Sequence, residues 1–436
     1  MEESKLLSKF FKYVSHSVAA MVGLSVYILA DTFFISVHSG ANGLAVLNLI
    51  LPIYGLIYAI GSMIGIGSAT RYSIRKARGK DVSYFFVEAI LWSVLISIPF
   101  VLAGIFIPDS VLTVLGADKN LVELGKNYTR IILVASPFFM SNYTFTAFAR
   151  NDNAPSTAMV GSISGSLFNV VFDYVFMFPM NLGFTGAALA TALSPIVTMS
   201  ICATHYLGKN NQVQFKIKKL SIKHLVSCCQ LGISVFVSEI SNAVITIVFN
   251  MLLLNITGNI GVAAYGVIAN LALVAVAIFN GLAQGSQPLV SQCYGKNDGV
   301  NVKKLLNWSV KTCLIVEALI ILISWIFTDG LITIFNSENN LRLLNLAHNG
   351  LRLYFLGFIF AGINIMLVSY FSAIDKAVVA IVGSLMRGFV VIVILAIVLA
   401  NVFGANGVWI SFLGAEIVTF ITIILTYSLK KSDQEH

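Results

Sequence analysis

The sequence contains few charged residues: Asp, Glu, Lys and Arg make up 11% of its 436 residues, whereas 58% are hydrophobic. Such a chain has too little polar surface to fold as a soluble globular domain. Its five cysteines show no CxxC or Cys/His spacing, so we expect reduced thiols or small core residues rather than metal ligands. The sequence also lacks a P-loop, an HExxH motif and a Ser/His/Asp arrangement. We therefore expect an integral membrane protein that is not an enzyme and has no organic cofactor.

Apolar stretches of about 20 residues recur along the chain, and each is long enough to cross a hydrocarbon core of about 30 Å as a helix. They lack the alternating pattern of barrel strands. This predicts an all-α integral membrane fold with twelve transmembrane helices. The predicted spans are 14–37, 43–69, 85–107, 122–148, 156–180, 184–207, 225–254, 260–290, 305–328, 343–372, 377–402 and 405–428.

The basic residues predict the orientation. Of the 27 Lys and Arg, 21 fall on one side of the predicted spans, together with both termini. By the positive-inside rule this side is cytoplasmic, so we expect a multi-pass protein of the cell membrane with both termini in the cytoplasm. The net charge of +8 is spread over several loops, which argues against nucleic-acid binding. Five lysines lie in 209–223, where they can contact anionic membrane lipids.

The two halves of the sequence resemble each other. GFTGAALATALSPIVT at 183–198 and GANGVWISFLGAEIVT at 404–419 align at an offset of 221 residues. Six spans in each half give both halves the same orientation, related by a pseudo-two-fold axis along the membrane normal, as in transporters that rock about a central cavity. We predict an N-lobe at 1–208, a cytoplasmic linker at 209–223 and a C-lobe at 224–436.

Two aspartates, Asp31 and Asp173, lie within apolar spans, where a carboxylate costs roughly 2.5 kcal/mol or more. Asn169 lies four residues before Asp173 and so on the same helical face. At about 1.5 Å per residue, Thr191 and both aspartates are predicted to lie roughly 10 Å below the outer surface, with Asn169 about one turn deeper. Carboxylate, amide and hydroxyl oxygens suit a small hard cation such as sodium, and two neighbouring carboxylates can also hold a proton.

The C-half has ionisable groups of its own. Glu239, Arg387 and Glu416 each lie near the middle of a predicted span. Arg387 and Glu416 are expected to neutralise each other as a structural pair, whereas Glu239 has no obvious partner. A further acid, Glu317, is expected to face the bundle interior. Two amides are candidates for lining the C-lobe: Asn250 and Gln284.

Several of these motifs resemble a known family. YILADTFFIS around Asp31, FNVVFDYVF around Asp173 and the GAALATALS that follows are similar to the N-lobe of the multidrug and toxin extrusion (MATE) transporters. AQGSQPLVSQCYG at 283–295 and GVWISFLGAE at 407–416 are similar to the end of that family's eighth helix and to its twelfth. The resemblance covers all twelve spans and is to the bacterial DinF-like and MepA-like kind.

The resemblance implies functional roles for these residues. In bacterial DinF-like members, the residues that match Asp31, Asn169, Asp173 and Thr191 form a cation site in the N-lobe, and proton binding bends the first helix. In some relatives an acid in the region of Glu239 takes part in cation or substrate binding. The family also implies substrates that are amphipathic and often cationic organic compounds.

These features predict a monomeric antiporter, coupled to protons or sodium, that exports such compounds by alternating access. Two alternatives stay open. One is a lipid-linked oligosaccharide flippase of the same superfamily, for which Arg387 would be the only mid-membrane base. The other is a membrane sensor or assembly protein that transports nothing. The sequence leaves open the coupling ion, the natural substrate, and whether the acids of both lobes take part in coupling.

Overall fold

A computed structural model describes residues 2–335 and 340–435, and these contain helices and loops but no strand. In chain order the helices are α1 Glu3–Gly40, α2 Asn42–Ala77, α3 Phe85–Phe106, α4 Pro108–Val114, α5 Lys119–Val134, α6 Ser136–Asn151, α7 Pro155–Met177, α8 Gly183–Tyr206, α9 Ile222–Thr257, α10 Asn259–Gly295, α11 Gly299–Ile326, α12 Thr328–Thr333, α13 Leu341–Phe355, α14 Phe358–Ala373, α15 Ala377–Phe403 and α16 Ala405–Glu435.

Ten of these helices are long and apolar enough to cross a membrane singly, and two bent pairs, α5 with α6 and α13 with α14, bring the crossings to twelve. Helices α1–α8 form the N-lobe and α9–α16 the C-lobe. The prediction of an all-α, two-lobed membrane protein is therefore confirmed. No helix lies between Tyr206 and Ile222, where the linker is predicted, and the exact division into lobes stays a prediction.

Both bent pairs replace spans that the hydropathy pattern shows as continuous. The axes of α5 and α6 differ by 43° and those of α13 and α14 by 46°. Pro137 lies in the first turn of α6, where it has no backbone N–H to donate and where its ring would clash with the carbonyl of Leu133 in a continuous helix. At the second break, a side chain on Gly357 would overlap the ring of Phe412 on α16. The close approach of α16 to this break therefore requires a glycine at position 357.

The internal repeat is visible in the backbone. Left-handed conformation is costly for most residues but is tolerated by Gly, Asn and Asp. It occurs at matching turns of the two halves, before or after equivalent helices. The matching positions, with φ in parentheses, are Gly40 (57°) and Gly258 (70°), Gly79 (69°) and Asn297 (59°), Asn153 (64°) and Asp375 (61°), and Gly183 (53°) and Gly404 (59°).

Glycines bring the two lobes into backbone contact at one end of the bundle. We refer to this end, where α1 begins, α16 ends and most of the Lys and Arg lie, as the basic end. A Cβ on Gly232 of α9 would overlap the carbonyl oxygen of Met63 on α2. A Cβ on Gly281 of α10 would lie 2.5 Å from Cα of Val18 on α1. Small residues allow helices to approach this closely in a membrane, so α1 and α2 pack tightly on α9 and α10.

Candidate functional site

A cavity of about 620 Å³ lies between the lobes, where α1 and α2 face α9 and α10. Its volume lies in the range of pockets that hold drug-sized organic molecules. Among the described residues that line it, two are acids and none is Lys or Arg. The polar residues of its wall include Tyr27, Asp31, Asn48, Tyr54, Tyr58, Thr191, Glu239, Asn242, Asn280 and Gln284.

Three helices of the N-lobe bring Asn169, Asp173, Thr191 and Asp31 together. Asn169 and Asp173 lie one turn apart on α7, and both are fully buried. In the amide orientation that satisfies its partners, Asn169 Nδ2 donates to Asp173 Oδ2 (3.1 Å) and Oδ1 accepts from Thr191 Oγ1 (3.2 Å) on α8. The side chain of Asp31 on α1 lies within hydrogen-bonding reach of Asp173. The residues predicted from depth alone therefore meet.

The two carboxyl groups of this cluster lack a basic partner. Neither Asp31 nor Asp173 takes part in an ion pair in the described part of the chain. Oδ1 of each aspartate is buried and has no hydrogen-bond partner. Two carboxylates this close cannot both stay ionised unless a cation lies between them, so the site fits a shared proton or a small cation.

The surroundings decide which metals this site could hold. Within residues 2–335 and 340–435, no three His, Cys, Asp or Glu side chains are grouped so that they could hold a metal ion. A sodium ion would be held by the two carboxyl groups of Asp31 and Asp173, completed by the neutral oxygens of Asn169 and Thr191.

In the C-lobe, four of the five candidate residues line a cavity and one does not. Glu239 and Gln284 line the central cavity. Arg387 and Glu416 line an adjoining cavity of about 350 Å³ and form an ion pair, with Nε 2.6 Å from Oε1. This is the structural pair expected from the sequence. Asn250 lines neither cavity, which gives no support to its predicted lining role.

A π-helical turn sets the direction of the Arg387 side chain. The turn spans Met386–Val390 within α15, and π turns insert an extra residue that rotates the following side chains. Gly388 in the same turn packs directly on α9, since a Cβ there would overlap the side chain of Ser241. The distorted turn thus contains both the closest contact of α15 with α9 and the arginine that pairs with Glu416.

The sequence reasoning missed the aromatic wall of the cavity. Tyr54 donates to Tyr58 at 2.8 Å, and the hydroxyl of Tyr27 lies 3.3 Å from that of Tyr58. Opposite them, Asn242 and Asn280 of the C-lobe line the same space. The spacing of Tyr54 and Tyr58, four residues apart, places them on one helical face and is the signal that could have found them. It does not show whether that face meets lipid, protein or a cavity.

Polar contacts close the basic end. Arg71 of α2 binds Asp375 of the C-lobe, with Nη1 2.7 Å from Oδ1, and donates to the backbone carbonyl of Ser227 at 2.9 Å. Nearby, Glu88 of α3 pairs with His224 at the start of α9 at 2.6 Å. Together with the glycine contacts, these bonds leave no separation between the lobes at this end.

Two lobes of membrane-spanning helices around a shared cavity, closed at one end by breakable polar contacts, define a multi-pass membrane transporter. The sequence model of the MatE family matches residues 17–175 and 234–399. The chain belongs to the MatE family.

Known relatives agree with this assignment over nearly the full length. The chain is 26% identical over 435 residues to the multidrug export protein MepA of Staphylococcus saprophyticus, covering 97% of this chain and 95% of that protein. It is 24% identical over 435 residues to MepA of Staphylococcus aureus, with the same coverage. A solved structure described as the outward-facing conformation of a multidrug resistance MATE family transporter superposes with a TM-score of 0.89 at 20% identity, covering 98% of this chain and 97% of the other. That similarity shows a shared fold.

Proposed function

We propose that this protein is an antiporter, coupled to protons or sodium, that exports amphipathic and often cationic organic compounds by alternating access. The observation that carries the proposal is the central cavity, which has two acids and no Lys or Arg in its described wall. Acidic side chains at a low-dielectric surface attract positively charged ligands. The names of the MepA relatives, multidrug export proteins, support the same substrate class.

The two walls of the cavity suit an amphipathic cation. Tyr27, Tyr54 and Tyr58 give the N-lobe wall aromatic faces, which bind both apolar groups and organic cations. Glu239 on the C-lobe wall supplies a negative charge, and Gln284 supplies an adaptable hydrogen-bonding amide. A ligand that touches both walls depends on the relative position of the lobes, so its affinity differs between the two states of the transporter.

The aspartate cluster is the proposed site of coupling. Asp31 lines the cavity, whereas Asp173 lies fully buried behind it. Binding a proton or sodium ion removes the repulsion between the two carboxyl groups and lets α1 pack against α7. Loss of the ion restores the repulsion. An ion that bound both states of the transporter with equal affinity would not shift the equilibrium between them. Here the repulsion between the carboxyl groups, which exists only without the ion, makes the ion favour the state in which α1 packs against α7.

Orientation follows from the distribution of basic residues. We propose that the basic end faces the cytoplasm of the cell, in accordance with the positive-inside rule. The structure with this end closed then represents the state that releases substrate outward. Breaking the Arg71–Asp375 and Glu88–His224 pairs opens the cavity to the cytoplasm for the next substrate.

A lipid-linked oligosaccharide flippase fits the cavity less well. A pyrophosphate group requires unpaired basic side chains. Arg387, which lines the adjoining cavity, already has its charge neutralised by Glu416.

Reconstituted protein tests the proposal. Purified protein in liposomes is given a proton gradient or a sodium gradient, each imposed separately, and efflux of a fluorescent organic cation is followed. One gradient should drive export, and Asp173→Asn should abolish the driven component while the protein stays folded. Asp109→Asn is the matched control, because Asp109 lies in an exposed pair with Lys126. Undiminished driven export by Asp173→Asn would rule out the aspartate cluster as the coupling site.

A further inference from the structure

A buried acid of the C-lobe, Glu317, has no role in the mechanism above. It lies on α11 and is 2% exposed. Its Oε1 accepts the backbone N–H of Ile363 on α14 at 2.9 Å, whereas its buried Oε2 has no hydrogen-bond partner. No ion pair to Glu317 exists among the described residues. An ionised carboxylate in this position would be a buried charge without a counter-ion, which is costly within a membrane.

The packing of α14 leaves space for this carboxyl group. A Cβ on Gly362 would lie 2.7 Å from Oε1 of Glu317 and would overlap the ring of Phe279 on α10. Any side chain at position 362 would therefore push the carboxyl group away from α14. The backbone N–H of Ile363 holds one carboxyl oxygen in place, and the second oxygen stays free to carry a proton.

A second set of buried polar groups lies beside the Glu317 site, on the cavity side of the lobe. Asn364 follows Ile363, and its Nδ2 donates to the carboxyl Oε2 (2.7 Å) and the backbone carbonyl (2.8 Å) of Glu416. Glu416 in turn binds Arg387, which lines the adjoining cavity. Oδ1 of Asn364 has no partner. A proton on Glu317 would add a donor beside two buried acceptors that have no partner, Oε2 of Glu317 and Oδ1 of Asn364.

The ionisable groups around Glu317 offer it no positive charge. Glu416 of α16 and Cys313 of its own helix interact with it electrostatically, and the charge of Glu416 is already met by Arg387. From α13, Arg352 binds Thr328 and the carbonyl of Trp325 at the far end of α11. The side of α10 that faces Gly362 presents the apolar ring of Phe279.

We propose that Glu317 is a second proton-binding carboxyl group, in the C-lobe, that releases and regains its proton during the transport cycle. The acid dissociates to H⁺ and a carboxylate that remains bound to the N–H of Ile363. Uptake of H⁺ from solution restores the acid. The part of the proposal that concerns the cycle rests on the proposed function, whereas proton binding at rest does not.

Infrared spectroscopy on the full-length protein in lipid nanodiscs tests proton binding without any substrate. Wild-type protein should show a carbonyl stretch of a protonated carboxyl group that shifts in D₂O and fades as pH rises. The aspartate cluster can contribute a band of its own, so the component that belongs to Glu317 is the wild-type spectrum minus that of Glu317→Gln, in which the glutamine keeps an acceptor for the N–H of Ile363. Glu123→Gln, at an exposed acid of α5, should retain this component. Thermal unfolding checks that both variants are folded. Identical carboxyl bands in wild type and Glu317→Gln would overturn the proposal.

Proton counting in liposomes tests the link to transport. With a pH-sensitive dye inside the liposomes, Glu317→Gln should move about one proton fewer per exported molecule than wild type. Equal counts would show that Glu317 does not exchange its proton in the cycle. If wild type exports nothing, the proposed function fails while the infrared result still decides proton binding. If export occurs and the wild-type and Glu317→Gln spectra are identical, only this inference fails.

Discussion

Arg71 provides the most direct test of lobe rocking, since it joins the lobes at the basic end. Its bonds to Asp375 and to the carbonyl of Ser227 both cross from α2 to the C-lobe. Replacing Arg71 with glutamine removes the charge and shortens the side chain, so neither bond persists. Because both bonds exist only while this end is closed, Arg71→Gln should shift the protein toward the state in which the basic end is open.

The size of the shift follows from the exposure of the pair. Hydrogen bonds to charged groups contribute about 1.5–3 kcal/mol in shielded sites, whereas exposed ion pairs contribute about 0.2–1 kcal/mol. The Arg71 and Asp375 side chains are 12% and 30% exposed, which places this contact between the two cases. We therefore expect a loss of about 1–2 kcal/mol from the closed state, which changes the closed-to-open ratio roughly 5–30-fold.

A native thiol reports the opening. Cys228 on α9 is 1% exposed, and its backbone carbonyl packs on Gly67 of α2 at the closed interface. In protein that retains Cys228 as its single cysteine, maleimide labelling follows the open fraction when reclosing is fast. Arg71→Gln should raise the labelling rate roughly 5–30-fold. A parallel protein that retains only Cys202, fully buried within the N-lobe, should show no change.

Three further variants complete this test. Asp375→Asn should accelerate Cys228 labelling to a similar extent, and the double variant should add little, because both changes remove the same interaction. Lys303→Gln, at an exposed lysine of α11, should leave the rate unchanged. An unchanged Cys228 rate in folded Arg71→Gln protein would refute the reasoning. Equal acceleration of Cys202 would refute it too, since it would indicate general loosening.

Gly232→Val should abolish export while membrane insertion persists, because the added side chain overlaps the carbonyl of Met63 and prevents closure of the basic end. A transport assay measures the loss of export, and Cys228 labelling measures the failure to close. Glu239→Gln should weaken export of a monovalent organic cation about tenfold, corresponding to about 1.4 kcal/mol, and should affect a neutral substrate of similar size less. Arg387→Leu leaves Glu416, 1% exposed, without its partner and should cost about 3–5 kcal/mol. Replacing both by leucine should recover most of that loss in thermal unfolding, and a double variant no more stable than Arg387→Leu would contradict this.

The number of membrane crossings and the ionisable side chains that are costly to bury in the membrane were predictable from the sequence. The length of an apolar run and the cost of a charge within it are local properties of the chain. They sufficed for twelve spans and for singling out Asp31, Asp173 and Glu239. Of the two breaks within spans, the one at Pro137 carries a local signal, since a proline inside an apolar run marks a possible kink. The break at Gly357 was not predicted, because an apolar run looks the same whether its helix is straight or bent.

Depth along a helix is also a local property, and it is enough to group Asp31, Asp173 and Thr191 at one level of the membrane. The direction in which each side chain points around its helix axis is not a local property. Asn250 and Gln284 were equivalent candidates in the sequence, yet Gln284 lines the central cavity and Asn250 does not. The same limit hid the tyrosine wall, since only packing decides which helical face meets the cavity.

The sequence by itself thus determined a two-lobed membrane fold and identified the carboxyl groups that are costly to bury in hydrocarbon without a proton or a partner. Tertiary structure decided which of them meet. Asp31 reaches Asp173 because α1 packs on α7, and Arg71 reaches Asp375, 304 residues away, because glycines let α2 approach the C-lobe closely. Such contacts depend on the fit of helix surfaces distant in sequence, and no local pattern encodes that fit.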